Sequence, residues 1–206
     1  MADAGTEAVL SLVVQRTVLS GVVVLTPRRF GDERGFFAET YNRRRLAEAT
    51  GQDWNFIQDN LSLSALPGTV RGLHFQTPPF DQVKLVSVLK GAVLDVAVDI
   101  RRGSPTYGRH AAVRLSAAEG NQLLVPVGFA HGFCTLEPDT LVAYKVTNYY
   151  SPEHDRGLLW SDDSLGIAWP VTKEGATLSA KDRVLPPLSE IDSPFRFRPT
   201  DLSETK

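Results

Sequence analysis

The chain has 206 residues, enough to bury one sizeable core, and this length favours a single domain spanning 1–206. Its 22 Lys and Arg nearly balance 24 Asp and Glu, a net charge of −2. That argues against a nucleic-acid or membrane-surface binder, either of which would show a basic excess. The lone cysteine, Cys134, leaves no internal disulfide to form, and no stretch approaches the roughly 20 apolar residues of a membrane span, so the composition points to the cytoplasm.

The opening residues, MADAGTEAVLSLVV, lack the basic region of a secretory leader, and Gln15-Arg16 cuts the apolar run short. Short Val-rich runs follow, bounded by Gly, Pro or Asp turns: GVVVLTP (21–27), VKLVSVL (83–89), AVLDVAVDI (92–100), AAVRLS (111–116), QLLVPV (122–127), FAHGFCTL (129–136) and TLVAYKVTNYY (140–150). TVRGLHFQTP (69–78) reads as a further strand, stopped by Pro78 and Pro79. Lys90-Gly91 predicts the tip of a hairpin between the second and third Val-rich runs. NRRRLAEATG (42–51) alone reads clearly as a helix, with Asn42 as its N-cap and Gly51 just past its end. The arginines 43–45 read as its solvated face rather than a phosphate patch. Trp160 and Trp169, beside Leu and Ile, read as core. Beyond Asp182 the text turns to Pro, Ser and charge, predicting a core over about 20–187 and an irregular surface tail over 188–206. Many strands and few helices favour an all-β sandwich or closed barrel.

Four histidines stand at 74, 110, 131 and 154, with no H-x-H or H-E-x-x-H pair to place two imidazoles on one metal. PVGFAHGF (126–133) is similar to the second half-motif of a cupin, P-x-G-x-x-H, ending at His131. A metal site is not favoured, because the strand of His74 offers Gln76 where a second histidine would be needed. By spacing alone His74 reads as a half-buried strand residue, but Arg71 and Lys84 are near it in sequence. A base that titrates near neutrality beside two cations suits an anionic ligand or a developing enolate. Tyr144 shares a strand face with Val142 and Val146, so it is either a core tyrosine or an acid across a pocket. Asp95, Asp99 and Asp182 are all candidate partners for an imidazole N–H. No nucleophile elbow, phosphate loop or dinucleotide fingerprint is present.

FGDERGFFAE (30–39), FIQDNLSLS (56–64), VRGLHFQ (70–76), VKLVSVLKGAVLDVAVDIRRGSPTYG (83–108), VPVGFAHGF (125–133), YKVTNYYSP (144–152) and LSAKD (178–182) occur in this order. The series resembles the dTDP-4-dehydrorhamnose 3,5-epimerases over roughly residues 20–187. The resemblance implies a cupin-type jelly roll with a few short peripheral helices. It also implies a homodimer with exchanged N-terminal strands, a role GVVVLTP would fill, and catalysis with no metal or cofactor. The activity it implies is epimerisation at C3 and C5 of dTDP-4-dehydro-6-deoxy-D-glucose, or at one of those carbons only. A metal-dependent cupin and a silent sugar-binding module are the competing classes. Carried over by position, His74 is the base and Asp182 its carboxylate partner. Lys84 stabilises the enolate and Tyr144 is the acid. Arg71 neutralises ligand charge. Arg34, Glu39, Gln58, Asn60, His131 and Lys181 contact the nucleotide sugar, and Tyr150 packs on the thymine. Arg34 and Glu39 are candidates to reach across the dimer. At 155–157 the family often has Glu-Gly before the tryptophan, whereas this chain reads Asp155-Arg156-Gly157, so Asp155 is a shorter contact to the ligand.

Overall fold

A computed structural model describes residues 12–198. Thirteen strands dominate it. Two antiparallel sheets face each other, one of six strands and one of five. The first has the order β1 (Leu12–Arg16), β2 (Val23–Pro27), β10 (Gln122–Val125), β7 (Lys84–Lys90), β12 (Thr140–Val146), β5 (Gln58–Ser64). The second runs β13 (Asp155–Gly157), β6 (Val70–Gln76), β11 (Phe129–Thr135), β8 (Ala92–Asp99), β9 (His110–Ser116). Strands β3 (Phe30–Asp32) and β4 (Gly35–Phe37) form a separate hairpin. Alternation along the strands sends Val86, Val88, Val93, Ala97, Leu115, Leu123, Phe133 and Val142 into the shared core between the sheets. This is the cupin-type jelly roll.

The helix α1 (Arg43–Thr50) has the expected ends. Asn42 accepts from the Arg45 N–H at 3.2 Å, and Gly51 adopts the left-handed conformation at φ 77°. Leu46 anchors the helix on the outer side of the six-stranded sheet, against Leu25, Leu85 and Leu124. Arg43 pairs with Asp53 at 2.6 Å and Arg45 with Glu39 at 3.0 Å, so the arginine run is an ion-paired face. Trp160 is buried, edge-on to Trp169.

Two expectations are corrected. Lys90-Gly91 is not a hairpin tip, because β7 pairs with β10 and β12 while β8 pairs with β11 and β9. The glycine turns the chain from one sheet into the other, and a corner between sheets carries the same local signal as a hairpin. GVVVLTP contributes β2, which pairs with β1 and β10 and buries Val24 and Leu25. The tail is not merely surface: Ser193 and Phe195 are buried, and Phe195 meets Phe75 edge-on. Arg102 holds this segment by backbone bonds to Phe195 and Phe197.

Candidate active site

Simple alternation would send Arg71 and His74 to opposite faces of β6. The strand carries a bulge instead. His74 pairs with His131 and Arg71 with Phe133, so three steps on β6 match two on β11. The extra residue returns both side chains to one face. Gly72 makes this possible at φ 125°, where a Cβ would come within 2.6 Å of Gly132 Cα and 2.9 Å of the His131 carbonyl oxygen.

Between the sheets lies a cavity of about 480 Å³ walled by Arg71, His74, Lys84, His131, Tyr144, Lys181 and Asp182. His74 comes from the five-stranded sheet, Lys84 and Tyr144 from the six-stranded sheet opposite. Asp182 is buried, and its Oδ1 lies 2.6 Å from His74 Nε2. An ionised carboxylate only accepts, so Nε2 carries the hydrogen and Nδ1 keeps the basic lone pair. Burial pushes the Asp182 carboxyl up, but the His74 contact, the Gly72 N–H and Ser179 outweigh it and hold the group below its ordinary value. Lys84 donates to the His74 carbonyl at 3.3 Å. Burial brings its ammonium down to about 8, against the opposing pull of Asp155 and Asp95. Burial likewise raises the Tyr144 phenol, with Arg71 acting the other way, so the hydroxyl keeps its proton at neutral pH. Arg71 is steadied by Ser64 Oγ at 3.1 Å and the Leu63 carbonyl at 3.0 Å.

A second tier adjoins the cavity. Asp155 accepts from the Tyr150 hydroxyl at 3.1 Å and from the Lys181 ammonium. Gln58 donates to Asn60 at 2.8 Å and accepts from the Tyr150 N–H at 3.1 Å, and Asn60 sits opposite Tyr144 in the β5–β12 register. Arg34 and Glu39 are not brought to this cavity. Arg34 lies exposed in the β3–β4 turn on Asp32, and Glu39 bonds Arg45 and Asn42 beside the helix. Ser62, Phe133 and Ser179 also wall the cavity, although sequence reasoning passed over them. The alternation of QDNLSLS, which turns Gln58, Asn60 and Ser62 inward together, was the available signal for Ser62. Among the described residues no group of three or more His, Cys, Asp or Glu side chains is placed to hold a metal ion.

The family model described as dTDP-4-dehydrorhamnose 3,5-epimerase matches residues 16–190. A relative of that name from Sinorhizobium fredii is 50% identical over 183 residues, 89% of this chain and 93% of the relative. The crystal structure of dTDP-4-dehydrorhamnose 3,5-epimerase from Bacillus anthracis, with TDP and PPi bound, is 52% identical at a TM-score of 0.82, covering 86% of this chain and 99% of that one. That of dTDP-6-deoxy-D-glucose-3,5-epimerase from Legionella pneumophila, in complex with dTDP-4-keto-L-rhamnose, is 42% identical at 0.86, covering 91% and 99%. The chain, with its jelly roll and its cavity facing a histidine to a lysine and a tyrosine, belongs to the dTDP-4-dehydrorhamnose 3,5-epimerase family of isomerases.

Proposed function

We propose that this protein inverts C3 and C5 of dTDP-4-dehydro-6-deoxy-D-glucose in deoxysugar biosynthesis of the L-rhamnose type. The observation that carries the reading is the placement of a paired histidine and a protonated tyrosine on opposite sheets around one cavity, with a lysine between. A sugar ring held there meets a base on one face and an acid on the other.

A proton alpha to the C4 ketone is weakly acidic. His74 Nδ1 takes it, and the C–H electron pair becomes the new C=C bond as the carbonyl oxygen turns into an enolate oxygen. Asp182 compensates the imidazolium. The Lys84 ammonium stabilises the enolate oxygen, where preorganised charge commonly contributes about 10²–10³-fold. Tyr144 then delivers its proton to the opposite face, and the electrons return to the ketone. Solvent exchange restores both groups, so the net change is inversion. Arg71 and Lys181 offer cationic contacts to the nucleotide's phosphates, His131, whose Nε2 donates to Asp95, offers Nδ1 as an acceptor to a sugar hydroxyl, and Tyr150 an aromatic face to the base.

The working form is a homodimer. The outer face of the six-stranded sheet exposes Leu61, Leu63 and Leu89, and Phe36 and Phe37 of the β3–β4 hairpin lie exposed too. That is an apolar surface suited to a second copy. The hairpin with Arg34, and Glu39 after it, would then serve the partner's cavity. No described helix is long and apolar enough to cross a membrane, and the free, buried thiol of Cys134 suits the reducing cytoplasm.

The test supplies the 4-keto sugar nucleotide in D₂O and follows C3 and C5 by NMR. Deuterium is expected at both carbons, and none with His74→Ala. Incorporation at one carbon makes the protein a mono-epimerase. None at either, with a working control enzyme, sinks the reading.

A further inference from the structure

Gln76 stands on β6 where a metal-binding cupin would need its second histidine, and the reaction above gives it no task. Alternation puts its side chain on the face of His74, two residues back. The residue is buried, at 5% exposure, and both ends of its amide are engaged. Nε2 donates to the Phe80 carbonyl at 2.6 Å and to the Tyr149 carbonyl at 3.1 Å, while Oε1 accepts from the Ser151 N–H at 2.7 Å. Two carbonyls on one side and an N–H on the other fix the orientation of the amide, since only its NH₂ end can donate twice.

The last two bonds bracket Tyr150. One amide holds the carbonyl of the residue before it and the N–H of the residue after it. The backbone of Gln76 reaches the far end of the same side chain: it pairs with Asp155 in the β6–β13 register, and Asp155 accepts from the Tyr150 hydroxyl at 3.1 Å. Tyr150 is 57% exposed in the segment after β12, so packing alone does not hold its ring. The chain on either side is fastened separately. Thr147 Oγ1 accepts from the Val83 N–H, the Asn148 amide donates to the Pro79 carbonyl, and the His154 carbonyl accepts from the Thr77 N–H. Gln58 takes the Tyr150 N–H and His154 meets Ser151, but Gln76 fastens the backbone on both sides of Tyr150. We propose that Gln76 is a positioning residue for nucleotide recognition: its amide sets the backbone around Tyr150 so that the ring stands ready for the pyrimidine base. This rests on Tyr150 being the ring that packs on that base. A preset ring spares binding the cost of ordering it, so the gain falls on affinity rather than on the proton transfers at the sugar.

Gln76→Met keeps the length of the side chain and removes its amide. Calorimetric titration with dTDP and, separately, with inorganic pyrophosphate divides base from phosphate. The expected result is dTDP bound about 3- to 10-fold more weakly with pyrophosphate affinity unchanged, and KM for the sugar nucleotide rising more than the saturated exchange rate falls. Tyr150→Ala should weaken dTDP by about tenfold. Adding Gln76→Met to it should cost little more, because a residue that acts through Tyr150 then has nothing left to position. Full dTDP affinity in Gln76→Met, equal losses for dTDP and pyrophosphate, or losses that add in the double variant overturn the proposal. Should Gln76→Met fail to fold, Gln76→Asn, whose amide is one methylene shorter, takes its place with the same outcomes. A Tyr150→Ala variant that binds dTDP like the wild type refutes the base-packing reading instead. The Tyr150 ring resonances in tyrosine-labelled protein without nucleotide then decide whether Gln76 positions the ring. A shift toward the averaged values of a free ring in Gln76→Met supports positioning, and unmoved resonances overturn it.

Discussion

In the proposed reaction the chemistry of His74 depends on Asp182, because a buried carboxylate both fixes the imidazole tautomer and compensates the imidazolium. Asp182→Asn keeps the volume and removes the charge, so exchange should fall by about 10²–10⁴-fold. The same carboxyl gives a stability signature. Its folded pKa is depressed, so its contribution is fully present above the ordinary carboxylate value of about 4. That contribution is lost as pH falls through the lowered folded value. Thermal melts should show wild type ahead of Asp182→Asn at neutral pH and the gap closing in acid. Lys84 sets the other edge: exchange should decline as pH rises past about 8, where the ammonium is lost. The three carboxylates open to an imidazole are divided cleanly. Asp182 meets His74, Asp95 meets His131, and Asp99 meets Arg101, Ser104 and Thr106. Residue types alone could not make this division, because each aspartate offers the same chemistry and only its place in the sheets chooses its partner.

At the level of elements, the β6 bulge brings the arginine and the histidine together, and two glycines let β6 and β11 approach. A Cβ on Gly132 would meet the Arg71 carbonyl oxygen at 2.6 Å, the mirror of the Gly72 contact. Gly72→Ala therefore meets both a positive φ and a backbone clash, and should cost about 1–3 kcal/mol. Melting should fall by several degrees at this size, and exchange should fall further than stability as Arg71 and His74 separate. Gly103 has a positive φ of 81° but open space at its Cβ position, so Gly103→Ala should lose much less in both measurements. Equal losses would show that φ, not the close approach, governs Gly72. Strand β6 was legible from its alternation and the need for a bulge from the three-residue spacing of Arg71 and His74. The β7–β8 corner was not, since a glycine between two apolar strands reads the same whether the strands pair or part.

For the whole molecule, the exposed leucines of β5 and β7 make the outer sheet face the measure of assembly. Leu61→Asp with Leu89→Asp should convert the proposed dimer into a monomer in sedimentation velocity, because charges in a buried apolar interface are strongly unfavourable. Retention of the dimer would move the interface elsewhere. If Arg34 and Glu39 serve the partner's cavity, the monomer should also bind the nucleotide sugar more weakly than the dimer does.

The sequence by itself determined eight of the strands, β2 and β6 to β12, the helix with both its ends, and the ordered motifs that name the family, because periodicity, turn residues and caps act over a few neighbours. The tertiary structure alone decided which sheet each strand joins, which aspartate meets which histidine, and that Arg34 and Glu39 stand apart from the cavity of their own chain. Those outcomes depend on contacts between distant residues: His74 and Asp182 lie 108 positions apart, and no local pattern encodes that meeting.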